Sequence, residues 1–423
     1  MAARKAPPRV VTIAHMQAVC VLYIAAWCLF PPLAVDTIWR VLVAGAFAAF
    51  FGLEILRNGL VSFYNWPSAL VALFLVYTAT VQFVVGGAED LLRAIQMHIV
   101  CVCALIGIAY RGARWRELSW TLPPILALLA ISMALTVMEL RTDPHAARIV
   151  VRTSAEAIEL LRSGVGGYQL VYAAVVLAPL LLLFLLKGKG FDPPFTVLVV
   201  TLLLAAWATI LSAGYSIALV IALLGSAIAL FARVSNPTGL LLQAAVAALI
   251  CAFAFLAVDP ILAGAESFAE GTKYFKKIAD LRASLDLGES VGTASHRLER
   301  YSRSASLFLG SPFLGTLTYE PIGKHSQLLD TFARYGGLMG IVGLYLLVRL
   351  PATLLPPMPT RAGHAPVVVM VTVGLFLLLN NATAAHGAAV YILTPALAYA
   401  FGRRVAIRDS RLFGGSPAPL HTR

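Results

Sequence analysis

The sequence predicts an all-α polytopic membrane protein of about twelve transmembrane helices, with short loops except for one large helical outer loop. Three observations carry that expectation. Hydrophobic residues make up 60% of the 423 and charged residues only 12%, far more apolar surface than a water-soluble globule can hide. Apolar runs of bilayer-crossing length recur along the whole chain. Lys and Arg collect in alternate short gaps between those runs, as in cytoplasmic loops.

Taken in order, the runs cover 10–30, 35–55, 61–85, 92–110, 118–138, 168–186, 195–213, 215–232, 239–258, 326–348, 366–384 and 388–401. Most lie near the roughly 20 residues that a hydrocarbon core about 30 Å thick requires. The first follows Arg4, Lys5 and Arg9. It is too long for the apolar segment of a signal peptide and no small-residue cleavage pattern follows, so it reads as an anchor. Arg57, the group Arg111, Arg114 and Arg116, then Lys187, Lys189, Arg233, Arg349, Arg361, Arg403, Arg404 and Arg408 fall on the side of the N-terminus. Both termini are therefore expected in the cytoplasm. The five cysteines lie inside apolar runs and read as small hydrophobes, with neither disulfides nor a metal expected.

The chain thus divides into helices one to nine over residues 1–258, a large outer loop over 259–325, helices ten to twelve over 326–402, and a cytoplasmic tail over 403–423. The formal charge of +12 brings no nucleic-acid motif with it and reads first as topology. Two outer segments depart from that rule. Residues 139–167 carry Arg141, Arg148, Arg152 and Arg162, and the large loop carries Lys273, Lys276, Lys277, Arg282, Arg297, Arg300, Arg303 and Lys324. Long loops cross regardless of charge, so a basic outer surface points to an anionic ligand.

Within the large loop, Phe275, Ile278, Leu281 and Leu285 recur at helical spacing, as in a helix lying in the interface. A second helix follows. Leu298, Tyr301, Ala305 and Phe308 form one stripe of it and Arg297, Arg300 and Ser304 another, and Pro312 and Gly315 end it. His325 then stands at the entrance of the tenth span, between Lys324 and a Ser326 placed to cap the helix. An imidazole there either hydrogen-bonds locally or takes a proton from a sugar hydroxyl while nearby cations and the helix dipole hold a phosphate. Arg297, Arg300 and Arg303 either line a solvated face or grip phosphate oxygens with planar forks. Arg162, ahead of Gly164, Gly166 and Gly167, is a further candidate for anion binding. Asp330 and Arg334 are spaced to pair. Gly336, Gly337, Gly340 and Gly343 suit close helix packing, and Asn380, Asn381 and His386 either bond between helices or line a cavity. The sequence holds no metal-ligand cluster, phosphate-binding glycine loop or dinucleotide fingerprint. No cofactor is expected, and the energy of any reaction must come from an activated substrate.

Four motifs, Arg297-Leu298-Glu299-Arg300-Tyr301, Ser311-Pro312-Phe313-Leu314-Gly315, His325-Ser326 leading to Leu328-Leu329, and Tyr335-Gly336-Gly337-Leu338-Met339-Gly340, together resemble the bacterial O-antigen ligase and polysaccharide polymerase superfamily. The resemblance implies a GT-C-like fold in the inner membrane. It implies a metal-independent glycosyltransferase that takes a glycan from an undecaprenyl pyrophosphate carrier and hands it to an acceptor hydroxyl on the periplasmic face. Arg297 would hold the pyrophosphate and His325 would activate the acceptor. The implied partners are that lipid-linked donor, a glycan or lipid-linked acceptor, the bilayer and a chain-length regulator protein. Many relatives carry Ser-Arg where the eighth span begins, whereas Tyr215 stands at the arginine here. Either Arg162 supplies that charge or pyrophosphate is held differently. His-Ser followed by Leu-Leu-Asp looks more like polymerases, and His-Asn more like ligases. Ligation to lipid A core and transport of a lipid-linked oligosaccharide are the alternatives; polar groups gathered on one outer face speak against transport.

Overall fold

The computed structural model describes residues 12–93, 95–143, 145–150, 154–187, 193–231, 293–316, 322–323, 325–358 and 362–412, with isolated positions between 264 and 279. The expected ninth span, the interfacial helix through Ile278, Leu281 and Leu285, Lys324 and the tail beyond Leu412 lie outside the described residues. Every regular element among the described residues is a helix. Seven helices are long and apolar enough to cross a membrane, and four shorter ones of 10–17 residues are apolar as well.

Helix α1 (Ile13–Leu29), the short α2 (Pro32–Val35) and α3 (Thr37–Asn58) form a hairpin. Next come α4 (Trp66–Arg93), α5 (Ile95–Ala109) and α6 (Leu122–Thr142). Two short helices, α7 (Ala146–Ile149) and α8 (Ala155–Arg162), follow where hydropathy predicts only an outer segment. The amphipathic α8 starts at Ser154, whose Oγ accepts from the Ala157 N–H, satisfying one orphan donor of its first turn. Then come α9 (Tyr168–Lys187), α10 (Pro193–Ala213) and α11 (Ser216–Phe231).

After the large loop, α12 (Thr293–Gly310) leads to α13 (Gln327–Leu344), which runs through a π-helical turn at Tyr345–Arg349 into α14 (Leu350–Leu354). The chain closes with α15 (Ala365–Leu379), α16 (Ala384–Ala388), a second π turn at Ala389–Leu393 and α17 (Thr394–Leu412). Tyr391 in the second π turn donates to the Leu346 carbonyl in the first at 2.6 Å, tying the two widened turns together.

Helix α9 is apolar all round and buried along most of its length, with α10, α11, α15 and α16 packed about it, as expected of a central helix. In contrast, α3 and α4 expose Ile38, Val41, Leu42, Leu73, Val76 and Phe83, an apolar surface suited to lipid chains. Where α1 begins and α3 ends, the fully buried Glu54 accepts both Arg114 Nη atoms at 2.7 Å, Gln17 Nε2 at 2.6 Å and Asn58 Nδ2 at 2.9 Å. Arg57 and Glu117 add a second two-pronged pair, each bond 2.7 Å.

One predicted span is shorter than hydropathy suggests. The run 366–384 is helical only to Leu379, because Asn380 is extended (φ −149°, ψ 169°) and Thr383 starts α16, its Oγ1 accepting from the His386 N–H at 3.3 Å. Polar contacts hold this break open: the Gln327 N–H donates to the Asn380 carbonyl at 3.1 Å, and the Ala382 N–H donates to Gln327 Oε1 at 3.2 Å.

Candidate active site

Helix α12 presents its polar stripe to the bundle. At about 100° per residue, positions seven apart nearly coincide in azimuth, so Arg297 and Ser304 face the same way. Ser304 is buried, whereas Leu298 is 60% exposed. The same geometry turns Arg303 about 120° from Arg297; Arg300 and Arg303 are both exposed, and among the described residues it is Arg300 that makes the contact with His325.

Two close backbone approaches dock α12 and its flanking turns onto α13. Gly315 (φ 73°) and Gly336 (φ 75°) both have left-handed backbones. A Cβ on Gly315 would strike the Arg334 carbonyl, and one on Gly336 the Phe313 carbonyl, so no other residue fits either position without displacing backbone. The Thr316 N–H donates to the Ala333 carbonyl at 2.9 Å and the Gly337 N–H to the Pro312 carbonyl at 2.7 Å. Gly336 therefore interrupts α13 rather than only smoothing its surface. Gly343 keeps the packing role, since a Cβ there would come 3.1 Å from the Phe74 ring.

The second approach carries the histidine. Gly323 lies flat on α12, where a Cβ would strike the Arg300 carbonyl. Its N–H donates to Ser304 Oγ at 3.0 Å, and Ser304 Oγ donates in turn to Asp330 Oδ1 at 2.6 Å. Loop, α12 and α13 are thus joined through one buried hydroxyl, and Asp330 fixes the site in addition to any pairing along its own helix. Ser326 caps α13 as expected, its Oγ accepting from the Leu329 N–H at 3.2 Å. His325 is held between these fixed points.

Arg300 Nη1 lies 2.6 Å from His325 Nε2. A guanidinium has only donors, so Nε2 is the acceptor and the ring is the neutral tautomer protonated on Nδ1. Burial first, then the Arg300 and Arg297 charges, push the His325 pKa below its ordinary value. The imidazole is therefore unprotonated at neutral pH, the form a general base requires.

Arg297 Nη1 donates to the Leu379 carbonyl at 3.5 Å and Tyr301 Oη donates to the same oxygen at 3.2 Å. That carbonyl opens the break between α15 and α16, and Tyr172 of α9 donates to Asn380 Oδ1 there at 3.3 Å. Tyr172 neighbours Tyr168, which stacks on Tyr215 with centroids 4.3 Å apart and planes 15° apart. Arg148 of α7 lies over the Tyr215 ring, Cζ 5.9 Å from its centroid. Arg162 instead pairs with Asp36 at 2.7 Å, and the cation facing Tyr215 is Arg148.

Among the described residues no group of three or more His, Cys, Asp or Glu could hold a metal. The cluster offers a neutral imidazole, two guanidinium groups without a carboxylate partner among the described residues, and a helix start behind them. Such a set can bind an anion and accept a proton beside it. Ser304 was readable from its spacing to Arg297. Nothing in the sequence marks Gly323, Tyr168 or Tyr172. No protein-family model matches the chain, and no curated protein matches it.

Proposed function

We propose that the protein is a glycosyltransferase that polymerises undecaprenyl pyrophosphate-linked oligosaccharide on the outer face of the bacterial inner membrane. In this reading twelve spans form a GT-C-like bundle, both termini are cytoplasmic, and the α12–α13 site faces the periplasm. The observation that carries it is the contact between Arg300 and His325 Nε2, beside Arg297, at the start of α13.

Arg297 and Arg300 take the diphosphate of the carrier in planar, two-pronged contacts. A diphosphate is a far stronger acceptor for Arg300 than a neutral imidazole, so substrate binding draws that guanidinium away and uncovers Nε2. The acceptor hydroxyl oxygen attacks the anomeric carbon and its proton passes to His325 Nε2. The bond to the carrier breaks with its electron pair on the pyrophosphate, whose charge the arginines and the helix start stabilise. Attack opposite the leaving group inverts the anomeric centre, and linkage analysis of product against donor tests this.

Purified full-length protein in detergent, given lipid-linked repeat units and a chelator, is expected to lengthen the glycan by whole repeats. Undecaprenyl pyrophosphate should be released in equal amount, without any ion gradient. An unchanged oligosaccharide rejects the reading. Transfer only when lipid A core is supplied moves it to a ligase.

A further inference from the structure

An aromatic row begins next to the Leu379 carbonyl that Arg297 touches. Tyr168 and Tyr172 lie one turn apart at the start of α9, their ring centroids 5.9 Å apart. Tyr215, from the turn between α10 and α11, stacks on Tyr168 at 4.3 Å. Tyr168 and Tyr172 are partly exposed, and the exposed Arg148 closes the far end of the row over Tyr215. The near end is Asn380, whose Oδ1 accepts from Tyr172.

Asn380 is only 7% exposed, yet its Nδ2 has no partner among the described residues. A buried amide donor left unpaired is costly, and this one sits beside Tyr172 and next to the carbonyl that Arg297 touches. Flat apolar rings, one unspent donor and a guanidinium at each end suit a pyranose, which offers a C–H face to an aromatic ring and oxygens to donors.

We infer that Tyr172, Tyr168 and Tyr215 form a glycan subsite for the sugars next to the diphosphate. The first ring lies against Tyr172 and Tyr168, one of its oxygens accepts from Asn380 Nδ2, and the following sugar reaches Arg148. The inference rests on the proposed carrier-linked donor and adds which surface reads its sugars.

Full-length protein in nanodiscs, titrated with farnesyl diphosphate and with farnesyl diphosphate bearing N-acetylglucosamine, tests it. The wild type should bind the sugar-bearing probe more tightly. Tyr168→Ala should reduce that preference about tenfold, the upper scale of one aromatic contact; Tyr168→Phe should keep it, and neither should change binding of the sugar-free probe. Should Tyr168→Ala lose the fold, Arg148→Ala on its exposed turn takes its place, expected to weaken a disaccharide-bearing probe several-fold. Equal wild-type affinity for both probes, a preference unchanged in Tyr168→Ala, or no effect of Arg148→Ala on the disaccharide probe overturns the subsite and leaves the proposed reaction standing. Failure of the wild type to bind either probe overturns both.

Discussion

The two charged clusters of this bundle are built on opposite principles. At one end Glu54 and Glu117 each meet an arginine in a two-pronged pair, and Glu54 also accepts from Gln17, Asn58 and Ser62. Charge is cancelled there, and the pairs tie α1 and α3 to the turn after α5. At the other end Arg297 and Arg300 touch a carbonyl and an imidazole, and no carboxylate among the described residues. Positive charge without a carboxylate partner among the described residues is charge available to a ligand, so the first cluster ties helices together and the second is the candidate site.

Substitutions should separate the two. The largest effect is expected for His325→Ala, a loss of about a hundredfold to ten-thousandfold in glycan transfer, the range of a general base. Its membrane abundance and thermal midpoint should match the wild type, and near-normal product length would remove His325 from the reaction. Glu54→Ala should do the reverse, lowering stability by about 3 kcal/mol because it leaves Arg114 without its buried partner. Thermal unfolding reads that loss, and an unshifted midpoint would show the Glu54 cluster to be dispensable.

A smaller change is expected for Arg297→Lys, which keeps the charge and loses the planar fork. Affinity for farnesyl diphosphate should fall about tenfold with stability unchanged. The smallest effect is in pH dependence. Because the His325 pKa lies below its ordinary 6.5, the proton-accepting form persists to lower pH than an ordinary histidine allows, and the acid limb of the rate profile should fall below that value. Arg300→Ala removes one depressing charge and should move the limb upward, toward but not up to 6.5, since burial remains. A limb that stays put would separate His325 from Arg300.

Apolar runs located most of the described helices well: the run 168–186 is α9 at Tyr168–Lys187, and the run 195–213 lies within α10 at Pro193–Ala213. Periodicity foresaw α12, residue type foresaw the Ser326 cap, and the residues of the candidate site were legible as Arg297, Arg300 and His325. Arg303 was indistinguishable from them by composition, and the structure gives the contact with His325 to Arg300. Arg162 looked available because Asp36 lies far from it in sequence. The break at Asn380 escaped notice because hydropathy averages over a window, while the break depends on contacts from Gln327 and Tyr172 in other helices.

What sequence alone determined is the class of molecule and the inventory of its loop cations, since both follow from transfer free energy and side-chain chemistry summed along the chain. Tertiary structure decided which of those cations meet the imidazole, through Gly323 flat on α12 and Gly315 against Gly336. Such approaches are fixed by excluded volume between segments distant in sequence, and no local pattern of residues encodes them.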